Sequence, residues 1–310
     1  MEVIKYSANY KDAWDAFVAT SKNGTFMLQR GYMDYHADRF EDHSLLFYSN
    51  GKLVALLAAN LTGREVQSHG GLTYGGIVSG PTMKAQLMLD VFDAMILYYR
   101  EQGFETINYK TIPHIYHQLP AEEDLYALFR NDAVLYRRDL NTVISLNNKL
   151  PYNTLRKRKL KQPHNLQIEL SHDYDKFLSL QHTLLQQKYK TAPAHTAAEM
   201  HLLASRFPEN IKLYTVLNQE VLIAGVIVYE TASVAHCQYI AATPEGKTSG
   251  ALDMLIDHLV AEEYQHKHYF SFGVSTEQQG RYLNQNLVRN KESFGGRTIA
   301  HDFYIIQLLK

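Results

Sequence analysis

A chain of 310 residues, 45% hydrophobic and 20% charged, has ample material for a core and the length of about two ordinary domains. Its 31 basic and 32 acidic residues leave a net charge of −1, which excludes a polycation built to coat nucleic acid. A single cysteine, Cys237, excludes an internal disulfide framework and a thiolate-rich zinc site.

No apolar run reaches the ~18–20 residues of a spanning helix, and the start, MEVIKYSANYKDAW, lacks the apolar stretch of a secretory signal. A cytoplasmic, reduced protein with no membrane partner is expected. Twenty-two tyrosines against one tryptophan favour surfaces that are apolar yet hydrogen-bonding, polar-ligand clefts among them.

In chain order the pattern predicts an extended start (3–6), helices over 13–20 and 32–40, and strands over 44–48, 52–60 and 66–78. Asn50-Gly51 joins the first two of these strands as a hairpin. An amphipathic helix over 84–102 stops at Gly103, and a strand (106–112), a helix (121–130) and a strand (133–146) follow. The second half repeats the order. It begins with strand 167–170, helices 174–189 and 196–206, and hairpin strands 212–217 and 221–229. Strand 234–241, helix 249–265, strand 268–273, helix 280–291 and strand 298–308 complete it. Between the halves, LNNKLPYNTLRKRKLKQPHN has linker composition, giving domains 1–147 and 166–310 around a basic linker, 148–165. Alternation of this kind reads as an α/β fold with two similar domains.

Four stretches carry candidate chemistry. In the turn at 243–251, Gly246, Ser249 and Gly250 let main-chain amides approach a polyanion, the following helix presents its N-terminal N–H groups, and Lys247 adds a charge. A glycine-rich turn with Ser249 as N-cap is the plainer reading. Along strand 234–241, alternation sets His236, Gln238 and Ile240 on one face and Ala235, Cys237 and Tyr239 on the other. Successive polar residues on one face point to a cleft, where His236 could take an amine proton; a histidine hydrogen-bonded under a helix is the alternative. Cys237, mid-strand among small neighbours, reads as a buried inert thiol.

Ser275-Thr276-Glu277 stands at a strand-to-helix turn, and Arg281, Asn284 and Val288 share a face of the helix after it, with Tyr282 beside them. In the first half, the four glycines of SHGGLTYGG require something to approach the backbone closely, a ligand or another chain segment, next to His69 and Tyr74. Lys110 could pair with a diphosphate, Tyr116 lies at the same end of the domain, and Glu122 or Glu123 could meet sugar hydroxyls or an amine. The basic run Arg156-Lys157-Arg158-Lys159 with Lys161 suits phosphates of a nucleotide or of coenzyme A, a tRNA, or a solvated linker. The sequence has no Ser-His-Asp spacing signature and no HExxH.

The twice-met order of strand, two helices, antiparallel strands, long helix, strand, helix and strand resembles the GNAT acyltransferase superfamily. The segments YIAATPEGKTSGA (239–251) and FGVSTEQQGRYLNQNLVRNKESFGGR (272–297) carry the resemblance, and the duplication is similar to its FemAB-like branch. The pattern is similar to bacterial sugar N-acyltransferases acting on a nucleotide-linked 3-amino-3,6-dideoxyhexose. The loop departs from the usual Gln/Arg-x-x-Gly-x-Gly/Ala signature: with Ala251 in the last position, Ser249 stands at the central glycine and Gly246 at the Gln or Arg.

The resemblance implies two tandem GNAT-like domains with mixed central sheets, the first on the acceptor side and the second binding acyl-CoA. It implies coenzyme A contacts from Tyr239, Ala241, Thr243, Gly246, Lys247, Ser249, Gly250 and Asn284, and catalytic roles for His236, Tyr282 and Glu277. Tyr282 would give the leaving thiolate its proton. The acceptor would meet His69, Tyr74, Lys110, Tyr116 and Glu122, and no metal is required. The implied reaction moves an acyl group (3-hydroxybutanoyl or acetyl) from coenzyme A to the amine of a dTDP- or UDP-linked amino sugar for surface polysaccharide synthesis. The amine attacks the thioester directly. The alternatives are a FemAB-type aminoacyl-tRNA-dependent peptidyltransferase and a non-catalytic nucleic-acid-binding protein; nucleic acid is not the expected partner.

Overall fold

The computed structural model describes residues 1–161 and 165–309; residues 162–164 of the expected linker, and residue 310, lie outside the described residues. The chain divides into two compact units. One comprises Met1–Asp139, Glu277–Tyr282 and Ala300–Lys310, the other Leu140–Thr276 and Leu283–Ile299.

The first unit starts with β1 (Glu2–Lys5), α1 (Lys11–Thr20), α2 (Arg30–Met33), β2 (Glu41–Asp42), β3 (Leu45–Ser49) and β4 (Lys52–Leu57). β5 (Asn60–Thr62), β6 (Glu65–Gln67), β7 (Ile77–Ser79), α3 (Ala85–Glu101), β8 (Thr106–Lys110) and α4 (Glu123–Arg130) follow. β1, β3, β4 and β7 form an antiparallel sheet in the order β1-β3-β4-β7. α3 buries Met88, Val91, Phe92, Met95, Ile96 and Tyr99, a stripe at helical spacing, in one core with Leu45, Phe47, Leu57 and Ile107. Each such side chain contributes roughly 1.5–3 kcal/mol. Gly103, at φ +80°, ends the helix where an L side chain would be strained.

β9 (Val134–Ser145) leads into the second unit, which contains α5 (Thr154–Leu160), β10 (Gln167–Ser171), α6 (Tyr174–Tyr189), α7 (Ala197–Arg206), β11 (Ile211–Asn218), β12 (Val221–Glu230) and β13 (Val234–Ala242). Next in chain order come α8 (Pro244–Thr248), α9 (Ala251–His258), β14 (Tyr269–Val274), β15 (Thr276–Glu277), β16 (Tyr282–Leu283), α10 (Gln285–Glu292) and β17 (Arg297–Gln307), of which Glu277, Tyr282 and β17 from Ala300 onward belong to the first unit. β10, β11, β12 and β13 are joined antiparallel, whereas β13 and β14 run parallel. The sheet is therefore mixed. β12 is buried from Leu222 to Tyr229 because both its faces are covered, by α9 on one side and α6 on the other.

Two irregularities shape this sheet. Pairing of β13 with β14 covers only Val234↔Tyr269, Ala235↔Phe270 and His236↔Ser271; beyond it β14 turns at Gly273, φ +74°. β13 itself carries a bulge: Ile227 pairs with Tyr239 and Val228 with Cys237, which leaves Gln238 as the extra residue. The bulge reverses the alternation predicted from the sequence. Ala235 and Cys237 pack on the core beneath α9, and beyond the bulge it is Ile240 and Ala242 that join them, with Tyr239 bonded to His195 instead.

Several predicted elements are corrected. The strand expected over 66–78 is two short strands around a loop, because the glycines meet the chain itself: a Cβ on Gly75 would lie 2.0 Å from the Ser68 carbonyl oxygen, and Gly76 sits at φ +89°. The helix expected over 32–40 is only α2 with a 3₁₀ turn, Asp34–His36. The helix expected over 249–265 begins only at Ala251, because Gly250 at φ +79° is its N-cap and separates it from the short α8 before it, and its end is a π-helical turn, Leu259–Glu263. The helix expected from 280 begins at Gln285, because Gln278, Gln279 and Gly280 all take positive φ and Asn284 caps the helix that follows. Tyr282 is thus not helical and shares no helix face with Asn284. Within the expected linker, α5 forms under an Asn153 N-cap that accepts the Arg156 N–H.

Candidate active site

A cavity of about 510 Å³ opens in the second unit, walled by α5, α9 and α10. Its position follows from three caps. Asn153 starts α5, and one turn later Arg156 and Lys159 face inward. Thr243 caps α8 by accepting the Gly246 N–H at 3.0 Å, with Pro244 in the first helical position, and so sets out Lys247. Asn284 caps α10, whose Asn286, Asn290 and Ser293 then fall on one face at spacings of four and three, all lining the cavity.

The electrostatics are one-sided. Arg156, Lys159, Lys188 and Lys247 line the cavity against one carboxylate, Asp253. Asp253, in the first turn of α9, is buried; it pairs with Arg156 and lies 3.4 Å from Lys159. Arg156 is further held by Ser293 Oγ at 2.8 Å and by the Phe294 ring, 3.9 Å below its guanidinium. The arginine is fixed while the lysines stay solvated, a division suited to holding phosphate oxygens. The first turn of α9 adds N–H groups without helical partners and the positive end of its dipole. Leu155, Leu252 and Leu287 give the cavity an apolar flank.

The glycine-rich turn enters this arrangement differently from the sequence expectation. The N–H groups of Gly246, Lys247 and Ser249 bond within the turn, to Thr243 Oγ1, Thr243 O and Glu245 O. A Cβ on Gly246 would lie 2.2 Å from the Ile223 carbonyl oxygen. Glycine is demanded there by β12. An anion at this end would therefore meet Lys247 and the start of α9.

The strand residues are not among those lining this cavity. His236 is buried at the last paired position of β13 and β14, its Nδ1 3.0 Å from Ser271 Oγ, which donates to Asn141 Oδ1 at 3.3 Å. Tyr239 Oη lies 2.6 Å from His195 Nδ1 and accepts the His195 main-chain N–H at 3.2 Å. Lys291, on α10, donates to the carbonyl oxygens of Gly273 and Val274 at 2.8 and 2.7 Å and thereby anchors the diverging end of β14. Burial lowers its ammonium to about 8. Cys237 is a buried thiol whose pKa burial raises.

Of the expected coenzyme A residues, the cavity wall includes Lys247 and Asn284; Ala241 is buried and Gly250 is the left-handed N-cap of α9. Tyr282 and Glu277 belong to the first unit by packing, and Tyr282 is 51% exposed. The expected acceptor residues also lie in the first unit. Tyr74 and Tyr116 are core residues with ring centroids 4.4 Å apart, and Tyr74 bonds Thr25. Lys110 donates to the main-chain oxygens of His69 and Leu72, Glu122 is exposed at the start of α4, and His69 lines a separate cavity. Sequence reasoning missed Lys188, Asp253, Asn286 and Asn290. The i, i+4 spacing of Asn286 and Asn290 was a usable signal once the helix start was placed at Gln285.

Among the described residues no group of His, Cys, Asp or Glu is arranged to hold a metal, and no helix is long and apolar enough to cross a membrane.

Residues 153–282 match the family described as the Acetyltransferase (GNAT) domain. No curated protein matches the sequence. Among solved structures, FemX superposes with a TM-score of 0.68 at 9% identity over 99% of this chain and 97% of that one. The C-terminal domain of a putative lysylphosphatidylglycerol synthetase from Agrobacterium fabrum gives 0.64 at 10% identity over 97% and 92%. A tandem GNAT protein from the clavulanic acid biosynthesis pathway gives 0.53 at 11% identity over 100% and 99%. At these identities the likeness is one of fold: an α/β chain of two tandem GNAT-like units with mixed sheets.

Proposed function

We propose that the chain is an N-acyltransferase that takes its acyl group from coenzyme A. The observation that carries this reading is the cation-lined cavity at the start of α9, whose four cations all fall in the stretch 153–282 that matches the GNAT domain. The residues present fit the cofactor: Arg156, Lys159, Lys188 and Lys247 would hold the phosphates, and Leu155, Leu252 and Leu287 would pack against the pantetheine arm. The thioester, when bound, supplies the activated carbonyl.

In this reading His236 accepts the proton that the amine loses as its lone pair forms the C–N bond, directly or through water. Ser271 and Asn141 hold the imidazole in place. The C–S bond breaks and the thiolate takes a proton from solvent. The acceptor we propose is the amine of a dTDP- or UDP-linked amino sugar, which the resemblance in sequence pattern supports.

Calorimetric titration with coenzyme A tests the donor, and release of free thiol in the presence of acetyl-CoA and dTDP- or UDP-linked amino sugars tests the acceptor. Binding of coenzyme A with thiol release on one such sugar is expected. A steep, salt-dependent affinity for RNA without any response to coenzyme A would overturn the reading.

A further inference from the structure

A second cavity, of about 230 Å³, lies in the first unit between α2 and the loop that follows β6. Its lining contains three carboxylates, Asp34, Glu41 and Asp42, against one guanidinium, Arg30. Arg30 is already engaged: it pairs with Asp42, lies 3.1 Å from Asp34, and stacks 3.6 Å over the Tyr6 ring. Negative charge is therefore left over on the cavity side.

The other wall is aromatic. His36, Phe40 and His69 pack edge-to-face or tilted, with centroids 4.8 to 5.3 Å apart. His69 is the informative residue. It is 4% exposed, it takes a left-handed φ of +60° that side chains other than glycine seldom adopt, and its Nδ1 has no hydrogen-bond partner among the described residues. Burial, with His36 and Lys110 nearby, holds its imidazole neutral down to about pH 3, so one ring nitrogen is an acceptor at neutral pH. Lys110 fixes the loop from behind by bonding the His69 main-chain oxygen at 2.8 Å. Gly71 supplies the close packing, since a Cβ there would lie 2.6 Å from His36 Nε2 and 2.7 Å from the Phe40 ring.

Surplus carboxylates, a π face and a buried imidazole acceptor ask for a ligand that donates hydrogen bonds and carries positive charge on a small organic body. We infer that this cavity is a binding site for a small alkylammonium group, seated against Phe40, facing Asp34, Glu41 and Asp42, and donating to His69. A metal ion fits less well, because the described residues include no group arranged to ligate one. The inference does not rest on the acyltransferase reading, since the test contains no acyl donor.

The test uses the full chain labelled with ¹³C-histidine, titrated with ethylammonium chloride at constant ionic strength, with glycerol as the neutral comparator. His69 is assigned through His69→Asn, a substitution that tolerates the left-handed backbone. Saturable shifts of the His69 ring signals with ethylammonium and none with glycerol are expected. Asp34→Asn and Glu41→Gln remove charge from solvated positions, and each should weaken binding about fivefold, corresponding to roughly 1 kcal/mol. Equal responses to both probes, no response to ethylammonium, or an unchanged affinity in both charge variants would overturn the site.

Discussion

At the scale of single residues, the cation set around the first cavity and the buried titrating groups of the first unit give separate predictions. Lys159→Ala and Lys247→Ala each remove one solvated charge from the site proposed to hold the phosphates of coenzyme A. Each should weaken coenzyme A binding about five- to tenfold by calorimetry, with the loss shrinking as salt is raised. The second prediction concerns acid stability. Burial holds His69 and His301 neutral to about pH 3 and 4, while in the unfolded chain they protonate near 6.5. The unfolded state then binds more protons across this window, and stability falls as pH drops from 6.5 towards 4. Asp124 acts the other way: burial raises it to about 6 from 3.8, so its contribution grows as pH falls through that interval. Two imidazoles outweigh one carboxyl, each uncompensated proton being worth about 1.4 kcal/mol per pH unit. Urea unfolding at a series of pH values should show that decline, steepened by Asp124→Asn and flattened by His301→Gln.

At the scale of elements, glycines separate packing from conformation. Gly246→Ala would drive a methyl into the Ile223 carbonyl and should cost more than about 2 kcal/mol in thermal or urea unfolding. Gly103→Ala, with open space around the added methyl, carries only the strain of φ +80°, about 1–2 kcal/mol. Asn153→Ala removes the cap of α5 and should cost about 1 kcal/mol. It should also weaken coenzyme A binding, because Arg156 and Lys159 depend on that helix. Periodic elements were legible in the sequence: α3, α6, α7 and the hairpin of β11 and β12 follow from apolar spacing and turn residues. Elements broken by backbone geometry were not. Helical periodicity across 249–265 conceals the left-handed Gly250, and that across 280–291 gives no sign of the three successive positive φ values, Gln278 to Gly280, that delay the helix. The bulge at Gln238 has no local signature, because it arises from register against β12.

At the scale of the whole molecule, the duplicated element order was readable, since it depends only on the sequence of elements. The cavity was partly readable. Lys247, Asn284 and the basic run were noticed as local motifs, but that α5 would fold and pack beside α9 depends on the buried pair of Arg156 with Asp253, residues nearly a hundred positions apart. The lone thiol offers a global readout. Cys237 is buried beneath α9, so thiol reagents should label it only after the second unit opens. Coenzyme A at a hundred times its dissociation constant should slow labelling about a hundredfold, equivalent to about 2.7 kcal/mol.

The extra residue in β13 has a practical consequence for anyone diversifying this protein. Neighbouring codons there address different worlds: a library at Tyr239 samples contacts with the segment around His195, whereas one at Ile240 samples the greasy interior under α9. A pairwise alignment that omits a gap at Gln238 would exchange the two without any visible warning. The core-facing parity of this strand should consequently switch at that point, polar changes being rejected at Ala235 and Cys237 before it and at Ile240 and Ala242 after it.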